Sequence, residues 1–394
     1  MAVLFFIVFL DLVGFGVVLP LLPFYGEHFG ASPGVVTMLM ATYSIGQLFC
    51  SPIWGRLSDR FGRRPILLAS TACSALSYIW LGSATELWML FGARLMAGIG
   101  AGNIAAAQAY IADVTPEEGR AKGMGLIGAA FGLGFTVGPA LGGLVAGADG
   151  SVSRPAFLAA ALSVLAFLGV LFVLKESLPA EKRRDIAEKR PGRIELAKGA
   201  LSRPELRRLI LISFILFTAF AGMETTFGLW AERAMGWHAQ EVGLVFFYVG
   251  MVLVLVQGGL IGRLTKRYGE AKLLVGGATC ILVGLFGIPF STTLVPTLIF
   301  SAFMALGMGL SSPSINSLIS RRAGHEEQGG VMGVAQSASS LARIVGPAIA
   351  GVAFEFYGQN APYYLGAALT LIVVFMALKV PAPAPRAAQT AAGD

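Results

Sequence analysis

Four ionisable residues stand inside long apolar runs and are the first candidates for chemistry: Asp11, Arg94, Glu224 and Arg343. A charge near a bilayer centre costs roughly 2.5–3.5 kcal/mol on insertion scales, so such a residue normally has a function or a partner. Desolvation favours the neutral acid, which makes an intramembrane carboxyl a candidate proton carrier. For Asp11 the plainer alternative is a structural acid hydrogen-bonded inside its own bundle. Phe217, Phe220, Glu224 and Phe227 are spaced by 3, 4 and 3 and share one helical face. An acid on an aromatic stripe suits a lipophilic cation; core aromatics with one satisfied acid is the other reading. Arg94 shares a face with Gln108, fourteen residues on, and Arg343 with Gln336, seven residues back. Intramembrane arginines face protein or a wet cavity. Arg94 is placed to modulate proton release from an acid and Arg343 to pair with Glu224, with a purely structural role open for each.

Other chemistry is excluded or unsupported. Gly123–Gly128, GMGLIG, fits G-x-G-x-x-G but has no preceding strand, so it is no nucleotide fingerprint. Walker A and H-E-x-x-H are missing. The cysteines Cys50, Cys73 and Cys280 lie far apart with no nearby histidine cluster, which supports neither a disulfide frame nor a metal site. The sequence calls for no cofactor and no metal, and no enzyme is expected. Without an ATP site, energy for any transport must come from an ion gradient.

The elements that position these residues follow from composition. Charged residues make up 13% and apolar residues 56% of the chain, against about 25% and 45–50% in soluble domains. Twelve apolar stretches approach the about 20 residues a spanning helix needs: roughly 2–24, 34–54, 66–84, 87–111, 122–147, 155–174, 208–231, 242–261, 272–290, 294–319, 328–354 and 360–379. The first lacks a basic start and a small-residue cleavage site and reads as a retained helix. With a cytoplasmic N-terminus, 25 of the 29 Lys and Arg fall on one side, a strong positive-inside pattern. Both termini are then expected in the cytoplasm, and the net charge of +7 is topological and requires no nucleic acid.

The first dense charge cluster also returns. Gly55–Cys73 (GRLSDRFGRRPILLASTAC) and Gly262–Cys280 (GRLTKRYGEAKLLVGGATC) are offset by 207 positions and agree at seven of nineteen residues. A duplicated unit is indicated. The domains expected are a six-helix bundle over 1–174, a polar linker over 175–207, a second bundle over 208–380 and a disordered tail over 381–394. In the first copy, Gly55 and Gly62 permit a close-packed connection. Asp59 among Arg56, Arg60, Arg63 and Arg64 is set to pair with a nearby helix end, and Asp113 is a partner for the arginines. The plain alternative, a basic loop that only fixes topology, leaves the acid unexplained. Gly134, Gly138 and Gly142 recur every fourth residue around Pro139, a stripe for tight helix contact and a bend. Met40, Tyr43 and Gln47, and Gly309, Ser312, Pro313 and Asn316, are weaker cavity-lining candidates, for which ordinary interhelical packing is the favoured account.

These motifs carry a family resemblance. GRLSDRFGRRP (Gly55–Pro65) resembles the signature G-x-x-x-D-R-x-G-R-R of the major facilitator superfamily between helices 2 and 3. LDLVGFGVVLPLLP (Leu10–Pro23) resembles helix 1 of its drug/proton antiporters, GARLMAGIGAG (Gly92–Gly102) the helix 4 motif with its buried Arg, and GFTVGPALGG (Gly134–Gly143) the helix 5 motif of its exporters. The resemblance runs along the whole chain, most sharply over 5–145, and looks most like the twelve-span tetracycline-type efflux proteins. It implies an all-α membrane protein with 12 transmembrane helices in two six-helix bundles related by a parallel pseudo-repeat. It implies a latch at Gly55, Asp59, Arg60, Gly62, Arg63, Arg64 and Asp113, with Lys266 in place of the acid in the second copy. It further implies proton-coupled efflux of a small lipophilic molecule bound between the bundles, in a monomer of the inner membrane; the helical faces read above offer Tyr43, Gln47, Gln108, Phe217, Phe220, Phe227, Asn316 and Gln336 to hold it. The tetracycline-type acids of helices 3 and 9 have no counterpart, because 66–84 and 272–290 contain neither Asp nor Glu; Ser77 and Tyr78 lie near the expected place. The rivals are a metabolite or sugar symporter, which calls for more polar cavity faces, and a non-transporting receptor or scaffold, which has no need of Asp11 or Glu224.

Overall fold

The computed structural model describes residues 2–115, 117–147, 151, 153–178, 193–323 and 327–381. Among them all regular structure is helical. Twelve helices are long and apolar enough to cross a membrane: α1 (Val3–His28), α2 (Pro33–Phe61), α3 (Arg63–Gly82), α4 (Leu87–Val114), α5 (Gly125–Ala146), α6 (Ser153–Phe172), α7 (Pro204–Met235), α8 (Ala239–Tyr268), α9 (Glu270–Phe290), α10 (Leu294–Arg322), α11 (Gln328–Tyr357) and α12 (Ala361–Leu378). Large apolar side chains such as Phe49, Phe172, Phe356 and Phe375 lie exposed on the outside. Water would not tolerate so many, but hydrocarbon does.

Several boundaries differ from the apolar runs, each for a local reason. The basic cluster is not a loop: Arg56, Asp59 and Arg60 form the last turns of α2, and the connection to α3 is Gly62 alone. Gly62 has φ 105° and ψ 165°, a region open essentially to glycine. The second copy repeats this at Gly269, φ 78° and ψ 157°, between α8 and α9. The expected linker also carries structure, a short helix over Arg193–Ser202, and α7 begins at Pro204, in the first turn where proline is tolerated. Residues 179–192 and 382–394 of the expected linker and tail lie outside the described residues. α4 breaks at Ala101–Gly102, and α8 widens to a π turn over Val256–Leu260.

Packing repeats with the sequence. α1 packs on α5, α2 on α4 and α3 on α6; six helices later α7 packs on α11, α8 on α10 and α9 on α12. The two six-helix bundles meet where α5 crosses α8 and α2 crosses α11. One face of the molecule carries the α2–α3 and α8–α9 connections with their arginines and is called the basic face below. There Arg208 donates to the Lys379 carbonyl at 2.6 Å and Arg322 to the Pro381 carbonyl at 2.7 Å, fastening α7 and α10 to the end of α12.

Candidate functional site

A cavity of about 780 Å³ lies between the bundles. It reaches from Asp11 and Glu224 in the membrane interior to Gly55, Ser58 and Arg63 at the basic face. Helical periodicity turns one stripe of each helix toward it. α1 contributes Asp11 and Phe15, α2 Tyr43 and Gln47, α4 Arg94 and Gln108, and α5 Phe131 and Phe135. From the other bundle come Phe217, Phe220 and Glu224 of α7 and Gln336, Ser340 and Arg343 of α11. Phe15 stands 5.0 Å from the Tyr43 ring and 5.7 Å from Phe135, giving the first bundle an aromatic wall. Phe217 and Phe220 supply aromatic surface on the opposite side.

The charged groups sit within this wall. Arg94 is 1% exposed. Its guanidinium lies 4.8 Å from the centre of the Tyr43 ring and 5.6 Å from that of Phe15, and its Nε and Nη1 have no hydrogen-bond partner among the described residues. Arg343 donates a long 3.5 Å bond to the Ser340 hydroxyl. Its expected partner Glu224 lines the same cavity from the neighbouring helix of the same bundle, but the two form no ion pair among the described residues. Two other expectations move. Phe227, placed by spacing on the stripe of Glu224, is 3% exposed and packs on Trp230 and Phe246 in the core of the second bundle. Asn316 is exposed and is not among the cavity residues, because α10 packs mainly on α9 and turns that face outward.

The helix 5 glycines work through α1 and α8. A Cβ on Gly138 would sit 2.7 Å from the Gly16 Cα, and one on Gly142 would collide with the Val17 carbonyl. One on Gly134 would fall 2.7 Å from the Leu12 Cβ. The side opposite α1 meets the other bundle, where a Cβ on Gly243 of α8 would lie 2.6 Å from the Pro139 carbonyl. α5 is therefore pressed between α1, which carries Asp11, and the second bundle.

At the basic face Arg63 is 4% exposed and holds three partners: Asp59 Oδ1 at 2.5 Å, Ser58 Oγ at 3.0 Å and Asp113 Oδ2 at 3.0 Å. Glu176, after α6, accepts the first amides of α3, from Arg63 at 2.8 Å and Arg64 at 3.1 Å. A carboxylate at a helix N-terminus is favoured by the exposed amides and the dipole. Arg64 in turn donates to the Leu171 carbonyl at 2.6 Å. Arg60 is exposed and stacks on Phe61 at 5.4 Å. These contacts of the cluster stay within the first bundle. In the second copy the charges are exchanged: Glu270, at the position of Arg63, is 5% exposed and pairs with Arg321 at 2.8 Å.

Among the described residues, the hydrogen bonds joining the bundles lie on the opposite face. Glu355 of α11 accepts from the Ser32 hydroxyl at 3.1 Å and from the Gly34 amide at 3.0 Å. Arg233 of α7 reaches Glu27 of α1 at 3.3 Å and lies over the Phe354 ring at 4.7 Å. The cavity is thus open toward the basic face and shut at the other. Sequence reading missed this seal, since polar residues at helix ends look like ordinary solvated caps. It also missed Phe15, Phe131 and Phe135; the spacing of four between the last two is the signal that was there to read. Among the described residues no group of His, Cys, Asp and Glu is arranged to hold a metal ion.

Known proteins share both sequence and architecture. The chain is 32% identical over 372 residues to the tetracycline resistance protein, class C, of Escherichia coli, covering 92% of each. It is 30% identical over 373 residues to multidrug resistance protein 2 of Bacillus subtilis (strain 168), covering 93% of this chain and 91% of that one. The crystal structure of the human organic anion transporter MFSD10 (TETRAN) superposes with a TM-score of 0.72 at 25% identity, over 95% of this chain and 98% of that one. The profile of the Major Facilitator Superfamily matches residues 4–347 and 258–394. Twelve spanning helices, two repeated bundles with a cavity between them, and these matches together establish that the chain belongs to the Major Facilitator Superfamily.

Proposed function

We propose that the protein is a proton-coupled exporter of lipophilic drugs that works by alternating access. The observation that carries this reading is a cavity with aromatic walls and one acid from each bundle, Asp11 and Glu224, open to one face only. Tetracycline and multidrug resistance relatives at about 30% identity support the substrate class. The charge asymmetry supports a cytoplasmic basic face, with both termini on that side of the inner membrane. The chain acts as a monomer and carries out no covalent chemistry. Substrate enters from the cytoplasmic side, the halves rock, and the seal at Glu355 and Arg233 gives way to an exit. Asp11 or Glu224 takes a proton from outside, and proton and drug favour different states, which is what exchange requires. Each charge moved through 100 mV yields about 2.3 kcal/mol, enough to sustain a drug gradient of roughly fiftyfold. Residues 1–174 and 208–380 are the two moving bodies.

Proteoliposomes carrying an internal pH dye test this. Tetracycline, a lipophilic cation dye or a neutral drug is expected to evoke proton movement in the native protein. The movement is expected to vanish in Asp11→Asn or Glu224→Gln. Folded, inserted protein that moves no protons with any of the three compounds would remove the drug-exporter reading in favour of metabolite symport or a non-transporting role.

A further inference from the structure

We propose that Arg94 and Arg343 form a clamp for an anionic group on the transported molecule, so that the cavity selects amphoteric aromatic compounds carrying one acid and one base. This rests on the efflux reading above and names its substrate class.

The argument begins with an imbalance at Arg94. A guanidinium presents five donors in a rigid fork, and burying it without partners is costly. Arg94 is 99% buried and faces the cavity, yet its Nε and Nη1 donate to nothing among the described residues. The rings of Tyr43 and Phe15 offset its charge from their faces. Cation–π attraction accepts no in-plane hydrogen bond at those two nitrogens, so two directed donors remain for a ligand. Arg343 enters the same cavity from the other bundle, and among the described residues its hydrogen bond is the long contact to Ser340. Neither arginine forms an ion pair among the described residues. Arg94 lies over the Tyr43 ring at 4.8 Å, and Arg343 lines the same cavity from the facing bundle. A carboxylate or phenolate there would be held by both bundles at once through charge-assisted bonds, the strong class.

The acids decide what else the molecule must carry. Asp11 and Glu224 line the same space, one from each bundle, so the ionised cavity holds two charges of each sign. A plain anion would bind best with the acids protonated and would travel with the proton. A plain cation would compete with the proton but leave the arginines unanswered. An amphoteric molecule satisfies both: its base competes with the proton and preserves exchange, while its acid occupies the clamp.

Rhodamine B and its ethyl ester test the clamp, because they share the cationic ring system and differ in one carboxylate. Binding of each dye to the full-length protein in lipid nanodiscs is read by fluorescence anisotropy at neutral pH. The native protein is expected to prefer the free acid by about tenfold, the scale of a hydrogen-bonded charge. Arg343→Gln and Arg94→Gln are each expected to bring the ratio of the two affinities close to one. Arg343→Lys is expected to keep part of the preference. Glu224→Gln is expected to weaken both dyes and leave the ratio unchanged, which separates the clamp from general damage to the cavity. Equal binding of the two dyes by native protein, or a ratio that survives both glutamine variants, overturns the clamp and leaves efflux standing. Failure of folded protein to bind either dye overturns the clamp; the efflux reading falls with it only if the proteoliposomes also move no protons with any of the three compounds.

Discussion

Arg63 shows how one side chain can organise a helix junction. It is almost fully buried, yet it satisfies Asp59, Ser58 and Asp113 at once. A buried pair adds little over well-packed apolar groups, but removing one member strands the other. Arg63→Ala is therefore expected to cost about 3–5 kcal/mol of stability, read as a lowered midpoint in thermal or denaturant unfolding of the purified protein. Arg63→Lys is expected to recover part of the loss, since an ammonium lacks the planar fork that reaches two carboxylates. At this scale the sequence was partly legible. Intramembrane charge is scarce enough that Asp11, Arg94, Glu224 and Arg343 stand out, and all four line the cavity. Phe227 was misread because a spacing of three after Glu224 places it at the edge of the stripe, where the packing of Trp230 and Phe246 decides its direction.

At the scale of elements the glycines determine the geometry. Gly62 and Gly269 occupy equivalent positions in the two copies, both with positive φ. Gly62→Ala and Gly269→Ala are each expected to cost about 1–3 kcal/mol, the strain of placing a Cβ in that region. Calorimetry of the two variants checks whether the repeat is energetic as well as geometric. The helix 5 stripe makes a different prediction. In Gly138→Ala the new Cβ meets the backbone of α1, which cannot swing aside. Overpacking of this kind costs typically about 1–3 kcal/mol, again visible as a lowered melting temperature. By contrast, a Cβ on Gly258 or Gly259 in the π turn of α8 meets nothing within 4 Å. Alanine at both is expected to stiffen α8 and slow drug flux in proteoliposomes without loss of thermal stability. The twelve spans were legible from hydropathy to within four residues at every end but two, because lipid demands length; α2 and α8 each run seven residues further, through the charged repeats. The α2–α3 junction was not, because a basic run reads as a loop until one sees that a single glycine makes the turn.

For the whole molecule, the question is which face is shut. In this conformation the bundles are joined by Glu355 with α2, by Arg233 with Glu27, and by the close approach of Gly243 to Pro139. Loss of a helix cap typically costs about 1 kcal/mol, or several-fold in a two-state balance. Glu355→Ala is therefore expected to raise the population open at that face several-fold. Gly243→Ala, which wedges α8 from α5, is expected to act in the same direction. With the native cysteines replaced by serine, Thr37→Cys reports this, because Thr37 is fully buried beneath the seal. Its labelling by a membrane-impermeant maleimide is expected to accelerate in both variants; unchanged labelling would mean that the seal is held elsewhere. None of this was legible in the sequence. Composition and repeats specify two bundles, but which ends touch depends on pairings between residues far apart in the chain, such as Arg233 and Glu27, 206 positions apart, and Ser32 and Glu355, 323 apart.

That pairing has a consequence for time as well as structure. Ser32 begins α2 but makes no side-chain bond to its own helix; its hydroxyl is turned to Glu355, and the same carboxylate takes the Gly34 amide. The first turn of α2 is thus completed by the other bundle, and only while the two are closed. Opening of the sealed face would hand the Gly34 proton to water. In heavy water, exchange of the Gly34 amide is therefore expected to quicken in any variant that parts the bundles at this face, without any label.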